Sequence, residues 1–141
     1  MRVLSVTAQK PCSTGSGVYL TEVVRSLAKM GVSQAVVAGV TREDRVDMPE
    51  GVTVYPVYFS SEKLPYPVVG MSDEMPYTST RYRDMTEEMA GQFTAAFLEV
   101  LDEAIEKENP DIILCHHLYY LTALIRAHYP AKKVYGFCHN T

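Results

Sequence analysis

A regular alternation of short apolar runs with helical patterns is the feature of this sequence that most constrains its fold. The apolar runs have the length and β-branched content of strands and cover residues 2–7, 35–38, 52–57, 111–115 and 133–137. Strands that alternate with helices form a parallel sheet covered by helices on both faces. The sequence therefore predicts an α/β protein with a Rossmann-like parallel sheet of about five strands.

Three helices are predicted between the strands. The first has apolar residues at helical spacing and a glycine stop: Leu20, Val23, Val24, Leu27 and Gly31. Asp84 with Glu87 matches a capping box, which predicts the start of a long helix that ends at Asn109. A shorter helix is predicted over about 121–128. Residues 59–83 show no sustained period, and a loop of that length in a compact domain is more often functional than idle.

Composition sets limits on the class of protein. The 141 residues suit one domain, and 47% of them are hydrophobic, which is enough for one core. A net charge of −4 without a Lys/Arg-rich run disfavours nucleic-acid binding. No apolar run approaches the roughly 20 residues of a membrane-spanning helix, and three widely spaced cysteines do not form a disulfide framework. We expect a cytoplasmic protein, with residues 1–141 forming one truncated N-terminal domain of a longer chain.

Polar residues follow the predicted strands at their carboxyl ends, where open α/β sheets bind ligands. Gly15, Ser16 and Gly17 follow the first strand, and glycines before a helix let backbone N–H groups approach an anion or a sugar hydroxyl. The same glycines could instead simply form a tight turn. The loop lacks the third glycine of a dinucleotide fingerprint and the Gly-Lys-Ser/Thr of a P-loop.

Histidines follow the last two predicted strands. Neighbouring side chains diverge, so we expect only one of His116 and His117 to face a site, and His117 is the better candidate. His139 follows the last strand and precedes Asn140 and Thr141 on the same predicted rim. An imidazole there can donate or accept a hydrogen bond or a proton near neutral pH. The alternative is a histidine that caps a helix or fills a satisfied polar niche.

Two further groups of residues are candidates for a site. Arg81 lies in the long loop among tyrosines, and an arginine side chain can bind phosphate with two parallel hydrogen bonds. Cys115 and Cys138, with the neighbouring histidines, could hold zinc if the last two strands are adjacent. Their spacing is unlike a zinc finger, and cysteine at the end of a buried strand is ordinary core. We therefore expect no metal.

Three segments together resemble the glycosyltransferases of GT-B family 4. They are TGSGVYL from Thr14 with LAKMG ending at Gly31, PDIILCHH from Pro110, and VYGFCHNT from Val134. In that family the pattern is a glycine-containing loop, a helix ending in leucine-alanine-basic-x-glycine, and two strand ends carrying histidine. Order and spacing carry the likeness, which covers nearly the whole chain.

The resemblance implies one half of a GT-B fold, which holds the acceptor and faces a second domain that binds the nucleotide-sugar donor. It implies sugar transfer with retention and without cofactor or metal. His139 matches the histidine that contacts the transferred sugar, His117 matches the preceding strand-end histidine, and Gly15–Gly17 face the cleft. The residues that bind the donor in the family belong to the C-terminal domain, so residues 1–141 are expected to be inactive alone.

Two other functions remain open at this point. One is a non-catalytic Rossmann-like module that binds a nucleotide or another metabolite. The other is half of a sugar-nucleotide epimerase of similar two-domain architecture.

Overall fold

The computed structural model describes residues 1–11 and 13–139. A five-stranded sheet forms its centre, built from β1 (Arg2–Thr7), β2 (Ser33–Val40), β3 (Thr53–Tyr58), β6 (Ile112–His116) and β7 (Lys133–Phe137). The strands lie in the order β3-β2-β1-β6-β7, and every neighbouring pair is parallel. The predicted α/β Rossmann-like parallel sheet is confirmed.

Helices cover both faces of the sheet, as predicted. Helix α1 (Gly15–Lys29) packs Leu20 and Val24 on one face, against alternate residues of β2 that include Val36 and Ala38. Helices α2 (Glu87–Glu108) and α3 (Leu121–His128) pack on the opposite face, around the intervening residues Ala35 and Val37. Because side chains alternate along a strand, β2 supplies both halves of the core.

The predicted start of α2 is wrong. Thr86 is the N-cap residue, and its hydroxyl accepts the backbone N–H of Met89 at 3.1 Å. Asp84 belongs instead to a 3-10 turn (Tyr82–Asp84), and its carboxylate accepts a bond from Arg81 Nε at 2.6 Å. The end of α2 agrees with the prediction, since Asn109 takes the left-handed conformation (φ 42°) that closes many helices.

The long segment after β3 has regular structure of its own and buries some of its side chains. It contains two short parallel strands, β4 (Val69–Gly70) and β5 (Thr80–Arg81). Leu64 and Val68 are completely buried in the main core. The segment therefore extends the core and lies against the carboxyl edge of the sheet.

No helix in the described part of the chain is both long enough and apolar enough to cross a membrane.

Candidate functional site

The candidate site lies where the strand order reverses. The chain moves from β1 outward to β2 and β3, and then returns to place β6 and β7 on the other side of β1. At such a switch point the loops after the two central strands separate and leave a crevice at the carboxyl edge. The residues that follow β1 and β6 line this crevice.

The glycine turn after β1 starts helix α1. Thr14 is the N-cap, and its hydroxyl oxygen accepts the Gly17 N–H at 2.9 Å. Gly17 is buried, and a Cβ built on it would meet the Pro11 carbonyl oxygen. The absence of a side chain therefore lets the start of α1 pack directly against the backbone of the preceding loop. Gly15 is exposed with open space around its Cα. Its N–H lies in the first helical turn, where backbone donors have no acceptor within the helix.

Ser16 joins the glycine turn to the end of β6. Its hydroxyl lies 2.9 Å from Nε2 of His117, a residue 101 positions later in the sequence. The same hydroxyl receives a hydrogen bond from Nε2 of Gln9 at 3.1 Å and lies 3.2 Å from the Thr14 hydroxyl. Ser16 is thus the meeting point of three polar side chains.

The orientation of the Gln9 amide follows from its partners. Oε1 accepts the backbone N–H of Met71 at 3.1 Å, so Nε2 is the end that donates to Ser16. Gln9 is only 3% exposed. It therefore fixes the glycine turn, and through Ser16 also His117, to the long segment that forms the other side of the crevice.

His117 has an unusual backbone conformation. Its φ is 76°, in the left-handed region that non-glycine residues seldom occupy. Its N–H donates to Phe137 O at 3.1 Å, and its carbonyl accepts the Thr122 hydroxyl at 2.7 Å. Strained residues held by several bonds cluster at ligand sites. The conformation also turns the His117 ring toward the same side as the His116 ring.

The expected divergence of the two adjacent histidines is therefore wrong. The ring centroid of His139 lies 5.5 Å from that of His116 and 5.0 Å from that of His117. Nδ1 of His116 and Nε2 of His139 are 3.3 Å apart. All three imidazoles form one cluster, with Phe137 stacked on His116 and Tyr19 edge-on to His139.

The cluster is electrically neutral near pH 7. Burial, with the neighbouring imidazoles of His139 and His117, lowers the pKa of His116 to about 4. Burial and His139 lower the pKa of His117 to about 4. Burial also lowers the pKa of His139. A neutral imidazole offers one donor and one acceptor, so the cluster is suited to binding hydroxyl groups.

The long segment forms the outer wall of a cleft beside Ser16 and His117. Met71, Met75 and Pro76 face the glycine turn across a space of about 270 Å³. Tyr77 donates its hydroxyl to Val69 O at 2.7 Å and so fastens the wall to β4. The length of this segment predicts that it has a function, but its role as a wall depends on the tertiary structure.

Arg81 lies outside this cleft. It lines a neighbouring recess with Ser72 and Tyr119, and its Nε donates to Asp84 at 2.6 Å. The structure does not bring it to the histidines. Asn140 and Thr141, also predicted to lie on the rim, fall outside the described residues.

The cysteines named in the zinc alternative differ in their surroundings. In residues 1–11 and 13–139, no three or more His, Cys, Asp or Glu side chains form a group that could hold a metal ion. Cys115 is buried, and burial raises the pKa of its thiol to about 12, so it stays protonated. Cys138 lies past the end of β7 and is exposed, contrary to the expectation that it closes a buried strand.

Comparisons with known proteins identify the fold. Neither a protein-family model nor a curated protein sequence matches the chain. The structure resembles a sucrose-phosphate synthase from Thermosynechococcus elongatus with a TM-score of 0.67 and 11% identity, over 99% of this chain and 33% of that one. The chain has the fold of one half of a GT-B protein. It spans about a third of the length of the synthase that it matches.

A UDP-galactose 4-epimerase is also similar, over 82% of this chain and 37% of that one, with 10% identity and a TM-score of 0.39. A similarity that low carries no argument about this chain.

Gln9 and His116 are the site residues that sequence reasoning missed or ranked low. Gln9 stands two positions after β1, on the same rim as the glycine turn, and that position was the available signal. The sequence favours His117 over His116, because adjacent side chains alternate in a regular strand and only one of the two is expected to face a site. The positive φ of His117 removes that alternation at this point.

Proposed function

We propose that this chain is the acceptor-side half of a retaining glycosyltransferase of the GT-B family 4 type. The full enzyme moves a sugar from a nucleotide-sugar donor to an acceptor. The observation that carries the proposal is the meeting of Ser16, His117 and His139 at the switch point of the sheet. These residues come from three segments far apart in sequence.

The proposed chemistry assigns a role to each part of the crevice. The oxygen of an acceptor hydroxyl forms a bond to the anomeric carbon as the bond from that carbon to the diphosphate breaks. The nucleoside diphosphate leaves with the electron pair and takes up the hydroxyl proton. Backbone N–H groups at Gly15 and Ser16, in the first turn of α1, donate to oxygen atoms of the acceptor.

His139 is assigned to the transferred sugar. Its pKa is lowered by burial, so it is neutral near pH 7 and can exchange hydrogen bonds with a sugar hydroxyl. His116 Nδ1, 3.3 Å from His139 Nε2, holds the ring in place. His117, fixed by Ser16, supports the acceptor side of the cleft.

The chain alone is proposed to be inactive. Sugar transfer needs donor and acceptor held together in a near-attack geometry, which gives a large part of the rate acceleration. The donor-binding groups are assigned to a second domain, consistent with this chain covering 33% of the synthase that it resembles.

The test uses the complete gene product with UDP-, GDP- and ADP-sugars and a panel of sugars, inositol and their phosphates as acceptors. Release of nucleoside diphosphate and formation of a glycosylated product are measured together. We expect His139→Ala to lower kcat/KM by about 100-fold or more, in the range of a lost transition-state contact. His128→Ala, at an exposed position in the last turn of α3, is the matched control and keeps full activity.

Several outcomes would contradict the proposal. Transfer by residues 1–141 alone would refute the need for a second domain. Full activity of a folded His139→Ala variant would remove His139 from the site. Donor binding without transfer to any acceptor would favour a non-catalytic binding module, and conversion of the donor sugar without an acceptor would favour an epimerase.

A further inference from the structure

The 270 Å³ cleft beside the histidine cluster has a chemistry of its own. It lies between the glycine turn that starts α1 and the segment from Met71 to Pro76. Its volume is just below the range of about 300–1,000 Å³ that holds drug-sized ligands. The cleft is therefore of a size for one small ring.

One wall of the cleft is rich in hydroxyl, amide and imidazole groups. Its members are Gln9, Ser13, Thr14, Ser16 and His117. The two most deeply buried, Gln9 and His117, are 3% and 7% exposed and are held in place through Ser16. Neutral groups of this kind donate and accept hydrogen bonds without carrying charge.

The opposite wall is apolar. The side chain of Met75 packs over Gly70, where an added Cβ would lie 2.8 Å from the sulfur atom. Met71 is fixed at its backbone by Gln9, and Pro76 follows Met75. A flexible thioether surface adapts to irregular apolar shapes. It therefore suits the C–H face of a ring whose hydroxyl groups point toward the polar wall.

Charge argues against an anionic ligand. Glu74 is the one charged side chain among the described residues that line the cleft. The basic residues around the cleft are engaged: Lys10 Nζ lies 2.9 Å from Asp44, and Arg83 lies 3.0 Å from Asp73. A carboxylate without an opposing cation repels phosphate groups.

We propose that this cleft binds an uncharged, polyhydroxylated ring, and that this ring is the acceptor of the transfer. Identifying the ring as the acceptor rests on the proposed function, whereas binding of the ring by the cleft does not depend on that function. The polar wall bonds the hydroxyl groups, the methionine wall covers the ring face, and Glu74 excludes phosphorylated relatives of the same ring.

Methionine methyl groups provide the probe. The chain of residues 1–141 is labelled with ¹³C at its methionine methyl groups and titrated with D-glucose or myo-inositol at millimolar concentrations. We expect saturable shifts of the Met71 and Met75 signals, assigned with Met71→Leu and Met75→Leu. The signal of Met30, which is exposed at the opposite end of α1, stays unchanged and is the internal control.

Charge exclusion is tested with D-glucose 6-phosphate and with inorganic phosphate. We expect the phosphorylated sugar to bind at least about fivefold more weakly than glucose, with a difference that shrinks as salt is added. Glu74→Gln keeps the shape of the side chain and removes its charge. It narrows the difference in affinity between the two sugars by strengthening the binding of the phosphorylated one.

Two results would overturn the inference. One is the absence of any shift at Met71 and Met75 with the neutral rings. The other is tighter binding of the phosphorylated sugar or of inorganic phosphate, which would make the cleft an anion site at the α1 N-terminus. If the cleft binds neutral rings but the complete gene product transfers no sugar, the proposed function fails and the binding site stands. If the complete gene product transfers sugar only to phosphorylated acceptors, the proposed function stands and the inference of an uncharged acceptor fails.

Discussion

Substitution of Gly17 by alanine tests whether this residue must be glycine for the turn to pack. Substitution of the exposed Gly15 provides the comparison. At Gly17 the new Cβ would meet the Pro11 carbonyl oxygen and lie 2.6 Å from its carbonyl carbon and 2.9 Å from the Lys10 carbonyl oxygen. These are backbone atoms, so they cannot move aside as a side chain would. Overpacking of this kind costs about 1–3 kcal/mol in the free energy of unfolding.

Gly15→Ala is the matched control. The residue lies two positions earlier in the same turn, has no atom within 4 Å of an added Cβ, and does not have a positive φ. Alanine there reduces the freedom of the unfolded chain and is expected to stabilise by about 0.4–1 kcal/mol. The two variants therefore shift stability in opposite directions.

Urea unfolding of residues 1–141, followed by circular dichroism, measures both effects. With an m-value of about 2 kcal/mol/M, a loss of about 2 kcal/mol at Gly17 lowers the midpoint by about 1 M. Equal stability of Gly17→Ala and the unsubstituted chain would refute the packing argument. So would a loss at Gly15→Ala as large as that at Gly17→Ala.

Three further predictions concern the buried polar groups of the site. His116 and His117 have folded-state pKa values of about 4, below the ordinary 6.5, so their stabilising effect is complete above pH 6.5 and is lost as the pH falls toward 4. The free energy of unfolding from urea titrations should fall by about 2–3 kcal/mol for each of the two imidazoles over this range, and glutamine at both positions should remove that pH dependence. Iodoacetamide should modify the exposed Cys138 in the native chain, and Cys115 only after unfolding, because Cys115 is buried and its thiol pKa is raised. Mass spectrometry maps the modified residues, and labelling of Cys115 in the native chain would contradict its burial. Gln9→Leu leaves the hydrogen-bond partners at both ends of the amide unpaired, so it should lower the free energy of unfolding by about 1–3 kcal/mol. An unchanged urea midpoint would show that the amide bridge is absent in solution.

Strand and helix patterns in the sequence predict most of the fold. The predicted strand over 133–137 matches β7 (Lys133–Phe137), because its short length and its β-branched and aromatic residues favour a strand. The start of α2 was misplaced by two residues. Both Asp84 and Thr86 can cap a helix, and the choice depends on the 3-10 turn that engages Asp84 with Arg81.

The candidate site was predictable only as a set of strand ends. The rule that ligands bind at the carboxyl edge of a parallel sheet placed Ser16, His117 and His139 together, and their contacts agree with it. Gln9 was not found, because its importance comes from Met71, 62 residues later. A contact across that distance leaves no periodic signal in the sequence.

The sequence by itself determined the alternation of strands and helices, and with it a parallel sheet whose polar residues emerge at one edge. This follows from local physics: hydrophobic period, caps and turns act over a few residues. Only the tertiary structure decided that both histidines after β6 face His139, that Gly17 packs against backbone, and that the segment after β3 closes a cleft. Those outcomes depend on the positive φ of His117 and on contacts between distant segments, which are fixed only when the core packs as a whole.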